Sequence, residues 1–124
     1  MLTKEEILAH NQPERRAVHV PEWDGDVCIQ EMTGTQRDAW EGAMQSKDTA
    51  ARAVNFRARY LVRVLVDEAG KPMFTEAEAE ALGKVGARVL DRLFDIALEV
   101  NGVRQKDAEE LEKNSATTPD AASG

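Results

Sequence analysis

A chain of 124 residues with 42% hydrophobic content can fill one modest core and leave residues over for a tail. Its net charge of −7 argues against coating nucleic acid, which calls for a positive surface. The single cysteine, Cys28, excludes an intrachain disulfide, and no stretch nears the roughly 20 apolar residues of a membrane span. Residues 1–10 carry Lys4, Glu5 and Glu6 and do not read as a secretory signal, so a soluble cytoplasmic protein is expected.

Residues 3–10 predict a short amphipathic helix, with Thr3 and Glu6 as a capping box and Ile7 and Leu8 docking it on the domain. Over residues 15–20, Val18 and Val20 alternate with Ala17 and His19, a strand signal. Pro21 ends that strand, and Asp24-Gly25 supplies a hairpin turn. Residues 26–32 are the return strand, with Val27 and Ile29 on one face and Cys28, Gln30 and Met32 on the other. A two-stranded hairpin is marginal alone, so one face is expected to lie on helices.

Thr33 and Gln36 cap a second helix, which carries Trp40 and Met44 one turn apart. The polar run 45–49 is a loop or a weak continuation of that helix. Residues 50–66 predict one long helix with Val54, Ala58, Leu61 and Leu65 on one face and Arg52, Arg59 and Arg63 opposite. Phe56, Tyr60, Val62 and Val66 lie on its flanks, an apolar surplus that a domain this small does not cover on all sides. A turn follows around Gly70 and Pro72, and Thr75 with Glu78 caps a helix over 76–82. Gly83 and Gly86 mark a break or a close helix contact.

The widest apolar arc comes next: Val85, Val89, Leu90, Leu93, Phe94, Ile96, Ala97 and Val100, closed by Asn101-Gly102 as a C-cap. Val89, Leu93, Phe94 and Ala97 are the expected core. Residues 105–113 are a short charged helix at best, and residues 114–124, "NSATTPDAASG", have almost nothing to bury. The expected architecture is α+β and mainly helical: an N-terminal β-hairpin packed on a bundle of about four helices, counted from the apolar periodicities. One domain covers 1–113, and a disordered tail covers 114–124.

Little in this pattern supports chemistry. His10 and His19 sit in different elements without zinc-ligand spacing around them. Cys28 inside a strand reads as a small buried hydrophobe. Asp91 and Asp95 interleave with Arg88 and Arg92 as a salt-bridged face. Gly83 and Gly86 follow no strand and make no phosphate loop. No catalytic, cofactor-binding or metal-ligating residue is assigned, and an enzyme is not expected. The arginines of 50–66 (Arg52, Arg57, Arg59 and Arg63) have three readings: pairing with the protein's own acidic surface, then partner docking, then nucleic-acid contact. Trp23 at the hairpin tip either folds back over the sheet or serves as a binding anchor. Trp40 is assigned to the core. The partner-binding candidates are Trp23, Arg52, Phe56, Arg59, Tyr60 and Arg63.

Four pieces in this order, "MLTKEEILAHN", "VPEWDGDVCIQEMTGTQRDAWE", "VDEAGKPMFTEAEAEALG…VLDRLFDIALEVNG" and "EKNS", resemble the tail assembly chaperones of long-tailed, siphophage-type double-stranded DNA phages and prophages. None is a catalytic motif, so the resemblance rests on order and spacing. It implies a non-enzymatic chaperone in the host bacterial cytoplasm that binds and solubilises the tape measure protein. The chaperone also helps recruit tail tube subunits and is absent from the mature virion. Self-association and a longer product made by ribosomal frameshifting are implied as well; no cofactor, nucleic acid or membrane is. A structural component of the tail or head–tail connector is the competing reading. A small DNA-binding regulator is a third, which the net charge opposes.

The Ser, Thr, Ala and Pro of residues 114–124 do not offset the entropy of ordering them. Deleting this tail should leave the melting temperature unchanged; a clear drop would mean that it docks on the domain.

Overall fold

The computed structural model describes residues 1–45, 48, 50 and 53–103. Arg52, the expected charged segment 105–113 and the tail 114–124 lie outside the described residues.

Strands β1 (Arg15–Val20) and β2 (Gly25–Gln30) form the expected antiparallel hairpin, in register from Arg15↔Gln30 to Val20↔Gly25. The connection differs from the expected Asp-Gly turn. Pro21–Trp23 make one 3-10 turn, and Asp24 closes it in the left-handed region at φ 50°, its N–H donating to Pro21 O at 3.1 Å. Aspartate visits that region more readily than bulky residues, so Gly25 is freed to begin the return strand.

The second edge of β2 is also paired. Strand β3 (Leu65–Val66) lies antiparallel on it, Cys28↔Val66 and Ile29↔Leu65, giving the order β1-β2-β3. The single helix expected over 50–66 is therefore interrupted at residues 54–55 and ends two residues early. Helix α3 spans only Phe56–Val64, preceded by Asn55 in the left-handed conformation at φ 54°. At its far end Leu65 is extended. Val62, Val64 and Val66 favour strand geometry, and pairing with β2 occupies backbone groups that a helix end would leave open. The chain then turns back on itself. Asp67 Oδ1 accepts from the N–H groups of Ala69 and Lys71 at 2.8 and 3.0 Å, Gly70 takes φ 84°, and Met73 N–H donates to Leu65 O at 3.0 Å.

Helix α1 (Lys4–Ala9) has the capping box expected of Thr3 and Glu6 but no buried residue. Ile7 and Leu8 are 57% and 69% exposed, so the expected docking of this helix does not occur among the described residues. Local capping bonds suffice to shape one turn; they do not supply a surface to cover it. Helix α2 (Gly34–Ala43) starts at the other expected box, with Gln36 N–H donating to Thr33 Oγ1 at 3.1 Å and Thr33 N–H to Gln36 Oε1 at 2.8 Å. It buries Trp40, and Met44 beyond its end is buried too. Glu78 accepts from Thr75 N–H at 2.8 Å and opens a 3-10 turn, Glu76–Glu78, that runs into the short helix α4 (Ala79–Leu82). Gly83 follows and is the close contact expected: a Cβ there would overlap the Asn55 side chain.

Helix α5 (Ala87–Val100) buries all four expected core residues and adds Leu90, Leu98 and Val100. Val85 and Ile96, expected in the same arc, are only partly buried. Its end is a Schellman closure, with Gly102 at φ 68°, Gly102 N–H on Glu99 O at 3.0 Å and Val103 N–H on Leu98 O at 2.9 Å. Helix α5 packs against α3 on one side and against the sheet on the other. The result is α+β: a three-stranded antiparallel sheet with five α-helices among the described residues.

Leu93 is fully buried at the centre of this packing. Leu93→Ala should cost about 2–5 kcal/mol in a denaturant titration. Gly83→Ala should cost roughly 1–3 kcal/mol, because Asn55 must move and its left-handed backbone with it.

Candidate partner-binding surface

Trp40 of α2, Phe56 and Tyr60 of α3 and Phe94 of α5 meet in a closed ring of edge-to-face contacts. Centroid separations are 5.4 Å for Trp40–Phe56, 5.9 Å for Phe56–Phe94, 5.4 Å for Phe94–Tyr60 and 5.2 Å for Tyr60–Trp40. Each such pair contributes about 0.5–1.5 kcal/mol beyond its buried area. Two guanidinium groups lie over the outer rings: Arg57 is 5.5 Å from the Phe94 centroid, and Arg63 is 5.2 Å from the Trp40 centroid.

Beside the ring is a cleft of about 250 Å³. Its floor is the four aromatic rings with Met32 and Leu98, and its mouth is Arg37, Glu41, Asn101 and Val103. Asn101 holds the cleft together. Its Oδ1 accepts from Met32 N–H at 2.8 Å and its Nδ2 donates to Ala97 O at 2.8 Å, tying the end of α5 to the entry of α2. The Schellman closure places Val103 beside Leu98 at the mouth. Across from them Arg37 Nε donates to Glu41 Oε2 at 3.3 Å, one turn apart on α2. Burial pushes the Tyr60 hydroxyl up to about 12, with Arg37 pulling weakly the other way.

The sequence-based candidates fare differently. Phe56 and Tyr60, expected as exposed surplus on a helix flank, are buried, and so is Val62. α2 and α5 both reach α3, so the flanks are covered within the domain, and both rings line the cleft. Val54, expected on the core face, is exposed because Asn55 interrupts the helix. Arg63 has a side chain only 9% exposed; it donates to Arg59 O at 2.6 Å and is paired with Glu76. Burial pulls Arg63 below the ordinary arginine range, with Glu76 opposing. Arg57 pairs with Asp91 at 2.9 Å. At these two arginines, pairing with the protein's own carboxylates is what the fold contains. Arg59 is half-buried on the same helix.

Trp23 is 40% exposed on the hairpin turn and does not line the cleft. Its neighbour Glu22 accepts from both terminal nitrogens of Arg92, at 2.6 and 3.1 Å, which holds the Glu22 carboxyl below its usual range. Sequence reasoning missed Met32, Arg37, Glu41, Leu98, Asn101 and Val103 as members of a site. The one local signal was the Asn101-Gly102 cap, which fixes Val103. The Asn101–Met32 bond spans 69 residues and leaves no trace in periodicity. Among the described residues no group of three or more His, Cys, Asp or Glu is placed to hold a metal, and no helix is long and apolar enough to cross a membrane.

Fold and site define a small α+β domain with an aromatic cleft, polar at its mouth, open at the surface. The family model for phage tail assembly chaperones matches residues 3–114, and the chain belongs to that family, whose role is not enzymatic. Among solved structures, the tail assembly chaperone of bacteriophage HK97 is similar, with a TM-score of 0.53 and 26% identity, over 71% of this chain and 85% of that one. A search of curated proteins finds no sequence match.

Tyr60 is the single tyrosine, so its ionisation can be read without assignment. In the native chain, phenolate absorbance should rise near pH 12 instead of the ordinary 10. The folded value lies above the unfolded one, so this group's contribution to stability is complete below pH 10 and is lost as pH climbs toward 12. Ionisation of the folded chain near 10 would place the hydroxyl in water.

Proposed function

We propose that this chaperone binds and solubilises the tape measure protein in the host cytoplasm and helps bring tail tube subunits to it. It then leaves before the virion is complete. The observation that carries the reading is family membership over residues 3–114 in a domain that keeps an apolar cleft open at its surface. Apolar burial suits a partner that is otherwise insoluble, and weak contacts repeated along a long chain add up through multivalency while each stays reversible. The partner surface assigned here is the cleft, with Phe56 and Tyr60 in its floor, together with Trp23 on the hairpin turn. Arg59 and the short exposed helix α1, with Ile7 and Leu8, are secondary candidates, α1 for self-association. A longer frameshifted product completes the proposed set of partners.

Co-expression should keep the tape measure protein in solution and co-purify with it. Added salt should weaken the complex only modestly, since apolar burial is not screened as exposed charges are. Purified virions should lack the chain. Equal precipitation of the tape measure protein with and without it would end the chaperone reading of this partner, and its presence in virions would favour a structural tail component.

A further inference from the structure

We propose that the aromatic cleft is a socket for one apolar side chain of the partner polypeptide, of leucine or methionine size, carried beside a carbonyl that accepts a hydrogen bond from Tyr60. The claim rests on the function proposed above and names the site at which that partner is held.

Size is the first argument. The cleft measures about 250 Å³. Pockets for small organic ligands run from about 300 to 1,000 Å³, whereas one large side chain with part of its backbone fits the smaller space. The floor is apolar and aromatic, and no histidine or cysteine lines it.

Hydrogen bonding is the second. Tyr60 and Trp40 are only 5% and 4% exposed, yet among the described residues neither the Tyr60 hydroxyl nor the Trp40 indole N–H has a hydrogen-bond partner. Buried polar groups in native proteins are nearly all satisfied, and each exception calls for a reason. Tyr60 and Arg37 line the same cleft, and the Arg37 charge pulls against burial at the Tyr60 hydroxyl. A tyrosine hydroxyl is protonated throughout the physiological range, and it therefore stands ready as a donor. The other polar groups of the cleft do not meet the need. Asn101 is engaged at both Oδ1 and Nδ2, and the Glu41 carboxylate takes the Arg37 Nε–H. What is missing is an acceptor, which a peptide carbonyl supplies.

Rigidity is the third. The rings brace one another, Asn101 fixes one wall, and the Schellman closure fixes Val103. A socket already shaped loses little entropy on binding.

The test uses the full chain co-expressed with the tape measure protein. Two variants compete with labelled wild type for the complex: Tyr60→Phe, which removes one oxygen, and Val103→Trp, which fills the mouth. Tyr60→Phe should retain or raise the melting temperature, because the free protein loses an unpaired buried hydroxyl. It should also compete about tenfold less well, the factor that corresponds to one modest hydrogen bond. Val103→Trp should compete poorly with a native circular dichroism spectrum. Wild-type competition by both variants would overturn the socket and leave the proposed function standing. A marked fall in melting temperature for Tyr60→Phe would show the hydroxyl already bonded in the free protein, and would also overturn it. Failure of the wild-type chain itself to hold the tape measure protein would remove the function and the socket's occupant together.

Discussion

Four of the chain's six aromatic residues meet at one point, and three helices are positioned by that meeting. Trp40 brings α2, Phe94 brings α5, and Phe56 with Tyr60 brings α3. Edge-to-face geometry restricts the approach of each ring more than aliphatic packing would. With aromatic content of only 5%, no second cluster of this kind competes for the role. Two arginines complete the cluster, and the first of their three expected readings, self-pairing, is what they show: Arg57 and Arg63 lie over its rings while paired with Asp91 and Glu76.

The ends of α3 make this meeting possible. Phe56 is the first residue of the helix because Asn55 takes the left-handed conformation. That turn is tolerated because glycine stands at 83, where any side chain would overlap Asn55. At the other end the helix gives way to β3, which joins it to the sheet through Cys28 and Ile29. Helix α3 is thus anchored at both termini. Its two aromatic residues, one turn apart, are carried to a fixed place between α2 and α5. Asn101 then closes the remaining gap, holding Met32 near the end of α5 and leaving the cleft between them.

What the sequence made legible was local. Capping boxes at Thr3 and Thr33 are short-range bonds between residues three apart, and the apolar arc of α5 is a periodicity within one element. The hairpin strands needed only alternation and a proline. What it concealed was the outcome of competition between elements. Residues 50–66 have helical periodicity throughout, but Val66 finds a strand edge on β2, and strand pairing prevails there. The burial of Phe56, Tyr60 and Val62 depends on two other helices arriving, which no window of α3 reveals. Helix α1 shows the converse: apolar Ile7 and Leu8 read as a docking face, but no surface of the described fold covers them. Half of the cleft escaped notice for the same reason, since Met32 and Asn101 meet across 69 residues.

A domain belonging to the tail assembly chaperones therefore carries a preformed aromatic recess, and the central claim is that the proposed partner enters it. The indole N–H resonances of the two tryptophans test this directly, because Trp40 lies in the floor of the cleft and Trp23 lies on the hairpin turn outside it. On addition of the tape measure protein, the Trp40 indole resonance should shift or broaden strongly. A complex that forms while the Trp40 resonance stays where it is in the free chain would contradict the account.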